Sequence, residues 1–357
     1  MSNFTPELKA TGIGSLPMVD PESALELIFN YCPDIPFWPQ FPKISKLESM
    51  IAQYASIIPI FDIDGEGKVT LKDADTYGTE FVNMIEWISK DDIEKFAFNP
   101  SVSIGYYSFL EKAKDIGFTI SKGHITGPLT LASSVYGEDG KYILYNEDII
   151  NYLPQALGLC GAWQAERLAN LSVSGQVIIF IDEPVLSDYG SSAHTISLGC
   201  QEIQSIINTT VEKVKTSHAE NVKVGMHICG NSMWDEWLKM DIDIINFDAF
   251  KFKKNFLTAH KAISAFIDRG GVIAFGIIPT TKEDLQDVSK EKLVNIMKSI
   301  ISDLTKKGIN QEKLIRQSML TPACGYGSKE IETAFSGFKL LNDVSISLRK
   351  EYGILLS

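Results

Sequence analysis

The chain reads as an α/β protein formed by a single (β/α)8 barrel, with a β-hairpin insertion near residues 57–71. Three observations carry that expectation. Eight short apolar runs recur along the 357 residues, each followed by a motif and then a longer amphipathic stretch. Several runs are apolar at consecutive rather than alternate positions, as in parallel strands covered on both faces. No Gly-x-Gly-x-x-Gly follows an early strand, which removes the main signal for a doubly wound sheet. One domain over residues 1–357 is expected, because barrels exceed the usual domain size.

The elements follow in order. The first strand is "ATGIG" (10–14). "VDPESALELIFNY" (19–31) then offers Asp20 as a helix N-cap and Pro21 at the first helical position. The second strand is "DIPFW" (34–38). "IIPIFDIDGEGKVTL" (57–71) has a Gly-rich centre between two strand-like runs and reads as the hairpin. "FTISKGHI" (118–125) is the third strand, and "SSVYGEDGKYILYN" (133–146) reads as a mobile loop after it. "QVIIFI" (176–181), "VKVGMHI" (222–228), "IDIINF" (242–247), "GVIAFGII" (271–278) and "KLIRQSML" (313–320) complete the eight. Helices with apolar residues at three- and four-residue spacing are expected over 147–169, 201–217, 291–308 and 330–353. Lys306, Lys307 and Gly308 mark the end of the third.

Composition narrows the function. The formal net charge is −12 and no Lys/Arg block occurs, so phosphate backbones and anionic lipid are poor partners. No apolar run is long enough to span a bilayer, and the N-terminus lacks the basic start and apolar core of a signal peptide. Five cysteines are sparse and odd in number, which fits a reducing cytoplasm.

In a barrel, chemistry sits at the C-terminal ends of the strands. The reactive residue types fall there. Strand one ends in Ile13, Gly14 and Ser15, and strand three in Thr126-Gly127-Pro128. Strand four ends in Asp182-Glu183-Pro184, strand five in His227 and Cys229, strand six in Asp248, strand seven in Pro279-Thr280, and strand eight in "TPACGYG" with Cys324. His227 and Cys229 are two apart, so their side chains leave one face of a strand. With Asp248 and Cys324 they supply the ligand types of a tetrahedral zinc shell. The competing account of each cysteine is a small buried hydrophobe, and that account holds for Cys32, Cys160 and Cys200. His194, His218 and His260 read as loop or helix-surface residues, while His124 lies near the mouth with no assigned role. Asp182 follows an entirely apolar strand, which favours function, whereas Glu183 points the other way and reads as structural. An exposed solvated glutamate is the plain account of Glu66 in its "DGEG" turn.

These motifs resemble the C-terminal catalytic barrel of the cobalamin-independent methionine synthases, within the uroporphyrinogen-decarboxylase-like superfamily. The likeness runs from "IGSLP" to "PACG". It implies that Ile13, Gly14 and Ser15 hold the homocysteine backbone, and that Glu66 and Asp182 bind its amine and serve catalysis. It implies a zinc shell of His227, Cys229, Asp248 and Cys324, with Asp where the family carries Glu. Three further departures stand out. The length suits one barrel, where methylfolate enzymes have two. The folate-stacking tryptophan falls near Ser134, and the general-acid histidine after strand seven is replaced around Pro279.

The expected function is therefore zinc-dependent methyl transfer to the thiol of homocysteine, forming methionine. A methylcorrinoid, carried by a partner corrinoid protein, fits as donor better than methylfolate, because it gives up its methyl without a protonated leaving nitrogen. Two alternatives are a methylcorrinoid methyltransferase acting on another thiol, of the coenzyme M type, and a non-catalytic zinc- or thiol-binding protein.

Overall fold

The structure is a computed structural model that describes residues 4–137 and 139–354. Its centre is a curled six-stranded parallel sheet in the order β3-β4-β5-β6-β7-β8. The strands are β3 (Phe118–Thr126), β4 (Ser172–Asp182), β5 (Asn221–Ile228), β6 (Ile244–Phe247), β7 (Val272–Ile278) and β8 (Ser318–Pro322). The expected hairpin forms a separate antiparallel pair, β1 (Phe61–Ile63) with β2 (Val69–Leu71).

The first two predicted strands do not form ladders. "ATGIG" and "DIPFW" reach the sheet only as isolated parallel bridges, Ala10 to Leu320 and Phe37 to Lys122, with a third between Ser15 and Gln40. Pro36 and Pro39 explain part of this, since proline has no N–H to continue a ladder. The architecture described is thus a half-barrel of six strands. "KLIRQSML" also divides. Its first half lies in a helix, Gln311–Arg316, capped by Asn310, and only Ser318 onward is strand. The charges of Lys313 and Arg316 flank Leu314 and Ile315, a pattern that buries one side of a helical turn.

The expected helices are present. Asp20 caps Pro21–Tyr31 by accepting from Glu22 and Ser23. Glu147–Ala169, Cys200–Val214, Lys290–Lys306 and Ile331–Glu351 follow. Gly308 adopts φ +96° just past the third of these, where a side chain would strain the backbone. Within 133–146 a short 3-10 turn forms at Ile143–Tyr145. Glu138 of that loop lies outside the described residues.

Strand periodicity sorts the core into two layers. Positions of one parity, among them Val177, Ile179, Ile181, Val224, Met226, Phe247 and Phe275, join the large cluster under the helices. Positions of the other parity form a second cluster on the concave face: Ile120, Ile178, Phe180, Ile244, Val272, Ala274 and Met319, with Phe4 and Ile35. Each such side chain contributes roughly 1.5–3 kcal/mol by leaving water. One step further toward the C-terminal strand ends, the concave face changes character. The same parity now carries Lys122, His124, Asp182, His227, Asn246 and Thr321.

Candidate metal centre and active site

His227, Cys229 and Cys324 converge. One ligand atom from each lies within 4.8 Å of the other two. A tetrahedral metal with bonds of about 2.0–2.3 Å spaces its ligands by distances within that limit, so two thiolates and an imidazole fit a thiolate-rich metal site. His227 is buried, while both cysteines are half-buried and face the mouth.

The electrostatics favour ionised sulfur. The Cys324 thiol hydrogen-bonds Cys229, and this contact, with help from His227 and Ser187, holds the Cys229 thiol well below its usual pKa. The same contact drives Cys324 upward, so the pair shares one proton. Burial alone would push His227 down. The Cys229 hydrogen bond and the Asp182 charge outweigh it, and the net shift is upward. Ser187 Oγ lies 3.7 Å from Cys229 Sγ and supplies a second polar contact.

Asn246 fixes which nitrogen of His227 is free. Its amide nitrogen donates to the Ala274 carbonyl and to Thr321 Oγ1, both at 2.8 Å. Its oxygen must therefore face His227 Nδ1, and that contact is present. Nδ1 then carries the proton, and the Nε2 lone pair is left for a metal. Asn246→Ala should weaken zinc binding by about 10- to 100-fold. Competition against a chromophoric chelator measures this, and unchanged affinity would remove Asn246 from the support of the site. Sequence reasoning passed over Asn246. The available signal was its place as the only uncharged polar residue in "IDIINF", two before Asp248.

The family model for the catalytic domain of cobalamin-independent synthases matches residues 111–346. The chain belongs to this family. The methionine synthase of Methanocaldococcus jannaschii is 28% identical over 224 residues, which are 61% of this chain and 62% of that protein. The synthase-family chain thus spans less than two thirds of that relative's length. Two solved structures share the fold. A B12-independent methionine synthase from Shewanella sp. W3-18-1, in complex with selenomethionine, gives a TM-score of 0.58 at 13% identity, covering 98% of this chain and 99% of that one. A vitamin-B12-independent methionine synthase, described as putative, from Listeria monocytogenes gives 0.51 at 13% identity, covering 93% and 86%.

The other predicted residues of this synthase-family site fall into two groups. Asp182 ends β4 on the concave face, in register with His227. The residue is half-buried, but its Oδ1 is shielded from solvent and has no hydrogen-bond partner. Burial raises its pKa, opposed by the charges of His227 and Lys122. Ile13 and Gly14 close over the same face. The Ile13 carbonyl accepts from the buried Lys122 ammonium at 2.6 Å, and a Cβ at Gly14 would collide with His124. Ser15 Oγ accepts from the Gly327 N–H at 3.2 Å, which ties the first turn to the segment after Cys324.

Asp248 and Glu66 are placed differently from expectation. Asp248 is not among the three converging ligands. Its Oδ1 instead caps the helix Ala249–Phe256 by accepting from Lys251 N at 2.8 Å. An aspartate directly before a helix finds unpaired N–H groups within reach, and its short side chain turns to them. Burial raises its pKa to about 6, and the Cys229 charge adds to the rise. Glu66 sits on the exposed turn between β1 and β2, paired with Lys46. Glu183 has the structural place expected of it. It is buried and accepts from Leu129 N, Thr130 N and Thr130 Oγ1, which seats the short helix Pro128–Ala132. Burial still raises its pKa to about 7.

A cavity of about 880 Å³ lies at the other end of the sheet. Lys223, Asp243, Gly271 and Gln317, at or beside the starts of β5 to β8, line it. That end of such folds serves stability rather than chemistry.

Proposed function

We propose that this chain is a zinc-dependent methyltransferase that moves a methyl group to the thiol of homocysteine, forming methionine. The convergence of His227, Cys229 and Cys324, in a chain of this family, carries the proposal. A zinc ion held there would keep a substrate thiol ionised and nucleophilic at neutral pH.

The chain's own residues do the positioning. Asp182 offers its unpartnered oxygen to the substrate ammonium, a charge-assisted hydrogen bond. Ile13, Gly14 and Ser15 face the carboxylate end. Glu66 is the proposed second carboxylate for the ammonium, a role that requires its pairing with Lys46 to break. Asp248 is the proposed fourth ligand, and it would first have to release Lys251 N. The sulfur forms the new S–CH3 bond in line as the donor's bond to that methyl breaks, and the electron pair stays with the donor. The thiol proton goes to solvent.

The donor we favour is a methylcorrinoid on a partner protein. Ser134, at the place expected for a folate-stacking tryptophan, donates its hydroxyl to the Thr130 carbonyl. The segment after β7, Pro279-Thr280-Thr281, holds no side chain that could protonate a leaving nitrogen. We further propose that the bridges at Ala10, Ser15 and Phe37 close the six strands into a complete barrel.

Protein supplied with zinc, L-homocysteine and methylcobalamin should form methionine, read by mass spectrometry. Methionine from methylfolate alone would overturn the donor. Tight homocysteine binding with no methionine from either donor would favour a thiol-binding protein. Methylation of coenzyme M in preference to homocysteine would favour the sibling enzyme type.

A further inference from the structure

We propose that His124 is a substrate-binding residue, donating a hydrogen bond to the α-carboxylate of an amino-acid thiol. The proposal rests on the homocysteine reading above and extends it by one residue. His124 is 1% exposed, yet neither ring nitrogen has a hydrogen-bond partner. Buried polar side-chain atoms are paired in the large majority of cases, so two orphan nitrogens on one ring mark the place of a missing partner.

The ring is not free to turn and find one. It stacks on Trp38 with centroids 4.0 Å apart and planes within 17°. The Trp38 indole N–H donates to Gln164 Oε1 at 2.9 Å, and Gln164 Nε2 donates to the His124 carbonyl at 3.0 Å. The Tyr54 hydroxyl donates to that same carbonyl. Backbone and ring are thus both held.

The ring lies under the first turn of the site. A Cβ built on Gly14 would stand 2.7 Å from His124 Cε1 and 2.9 Å from Nε2. Only glycine lets the turn lie this close to the ring. The Ile13 carbonyl points to Lys122, and in a trans peptide the next N–H points the opposite way. Gly14 therefore turns its N–H away from Lys122. On the neighbouring strand the Asp182 Oδ1 is the other orphan of this concave face. An amino acid has the complementary groups: an ammonium for Asp182 and a carboxylate for the Gly14 and His124 side. Burial, reinforced by the Lys122 charge, holds the His124 pKa well below its usual value. The ring is then neutral and keeps one N–H donor at physiological pH. The buried ammonium of Lys122 favours an anion in the same layer.

Calorimetric binding to the zinc-loaded full chain tests this. The probes are L-homocysteine and aminopropanethiol, which keeps the thiol and amine but has no carboxylate. His124→Phe preserves a ring for Trp38 and removes both nitrogens. It should raise the Kd for homocysteine by roughly 10- to 100-fold and leave aminopropanethiol within about twofold. Equal losses for both thiols, or no loss for homocysteine, would overturn the proposal. Should the variant fail to fold, the ring nitrogen chemical shifts of His124 in the wild type decide: homocysteine moves them and aminopropanethiol does not. Shifts that ignore homocysteine overturn the role. Wild-type protein that binds homocysteine while His124→Phe binds it equally well removes His124 alone. Wild-type protein that binds neither thiol removes the homocysteine reading and His124 with it.

Discussion

Cys324→Ser is expected to strip zinc from the protein. Metal content after dialysis against a mild chelator should fall from about one zinc per chain to a small fraction of that. A serine hydroxyl stays protonated at neutral pH and cannot replace a thiolate. The loss follows from the geometry, because Cys324 is one of three ligand atoms that meet within 4.8 Å. Methyl transfer should fall with the metal, by several hundredfold or more. Full zinc retention in the serine variant would take Cys324 out of the site.

The second large effect is expected at Asp182. Asp182→Asn keeps the shape of the side chain and removes its charge. The Kd for homocysteine should rise roughly 100-fold, the value of one strong charge-assisted hydrogen bond. Propanethiol, with the same sulfur and no ammonium, should change by about twofold at most. Equal weakening of both thiols would contradict ammonium binding. The substitution should not unfold the protein. Burial already disfavours the Asp182 charge, and an amide avoids that cost. A thermal melt of the variant separates the two effects.

Much of this was legible in the residues themselves. Runs apolar at consecutive positions marked β4 and β7 most clearly, because strands covered on both faces need no alternation. Caps such as Asp20 and stops such as Gly308 marked helix ends, because their chemistry is local. The spacing of His227 and Cys229 was informative for the same reason: positions two apart on extended backbone share a face, and Cys229, one residue past β5, still converges with His227. Glu183 read as structural because it leaves the opposite face from Asp182.

Two residues and two runs were not legible. Asp248 has the right chemistry and the right parity. Its carboxylate reaches the N–H groups of the helix that follows, a competition set by the distance to Lys251. Asn246 is ordinary in sequence and becomes informative only once Ala274, Thr321 and His227 surround it. The "ATGIG" and "DIPFW" runs look like the other strands, yet their pairing depends on prolines and on close glycine contacts with Phe37 and His124.

The sequence by itself determined the parallel α/β class, the strand ends that carry the reactive residues, and the pairing of His227 with Cys229. These depend on local periodicity and on side-chain chemistry, both of which can be read along the chain. The tertiary structure alone decided that Asp248 caps a helix instead of converging with His227, Cys229 and Cys324. It alone decided that His124 lies clamped and unpartnered under Gly14. Each of those depends on distances between segments far apart in sequence, and only the folded chain sets them.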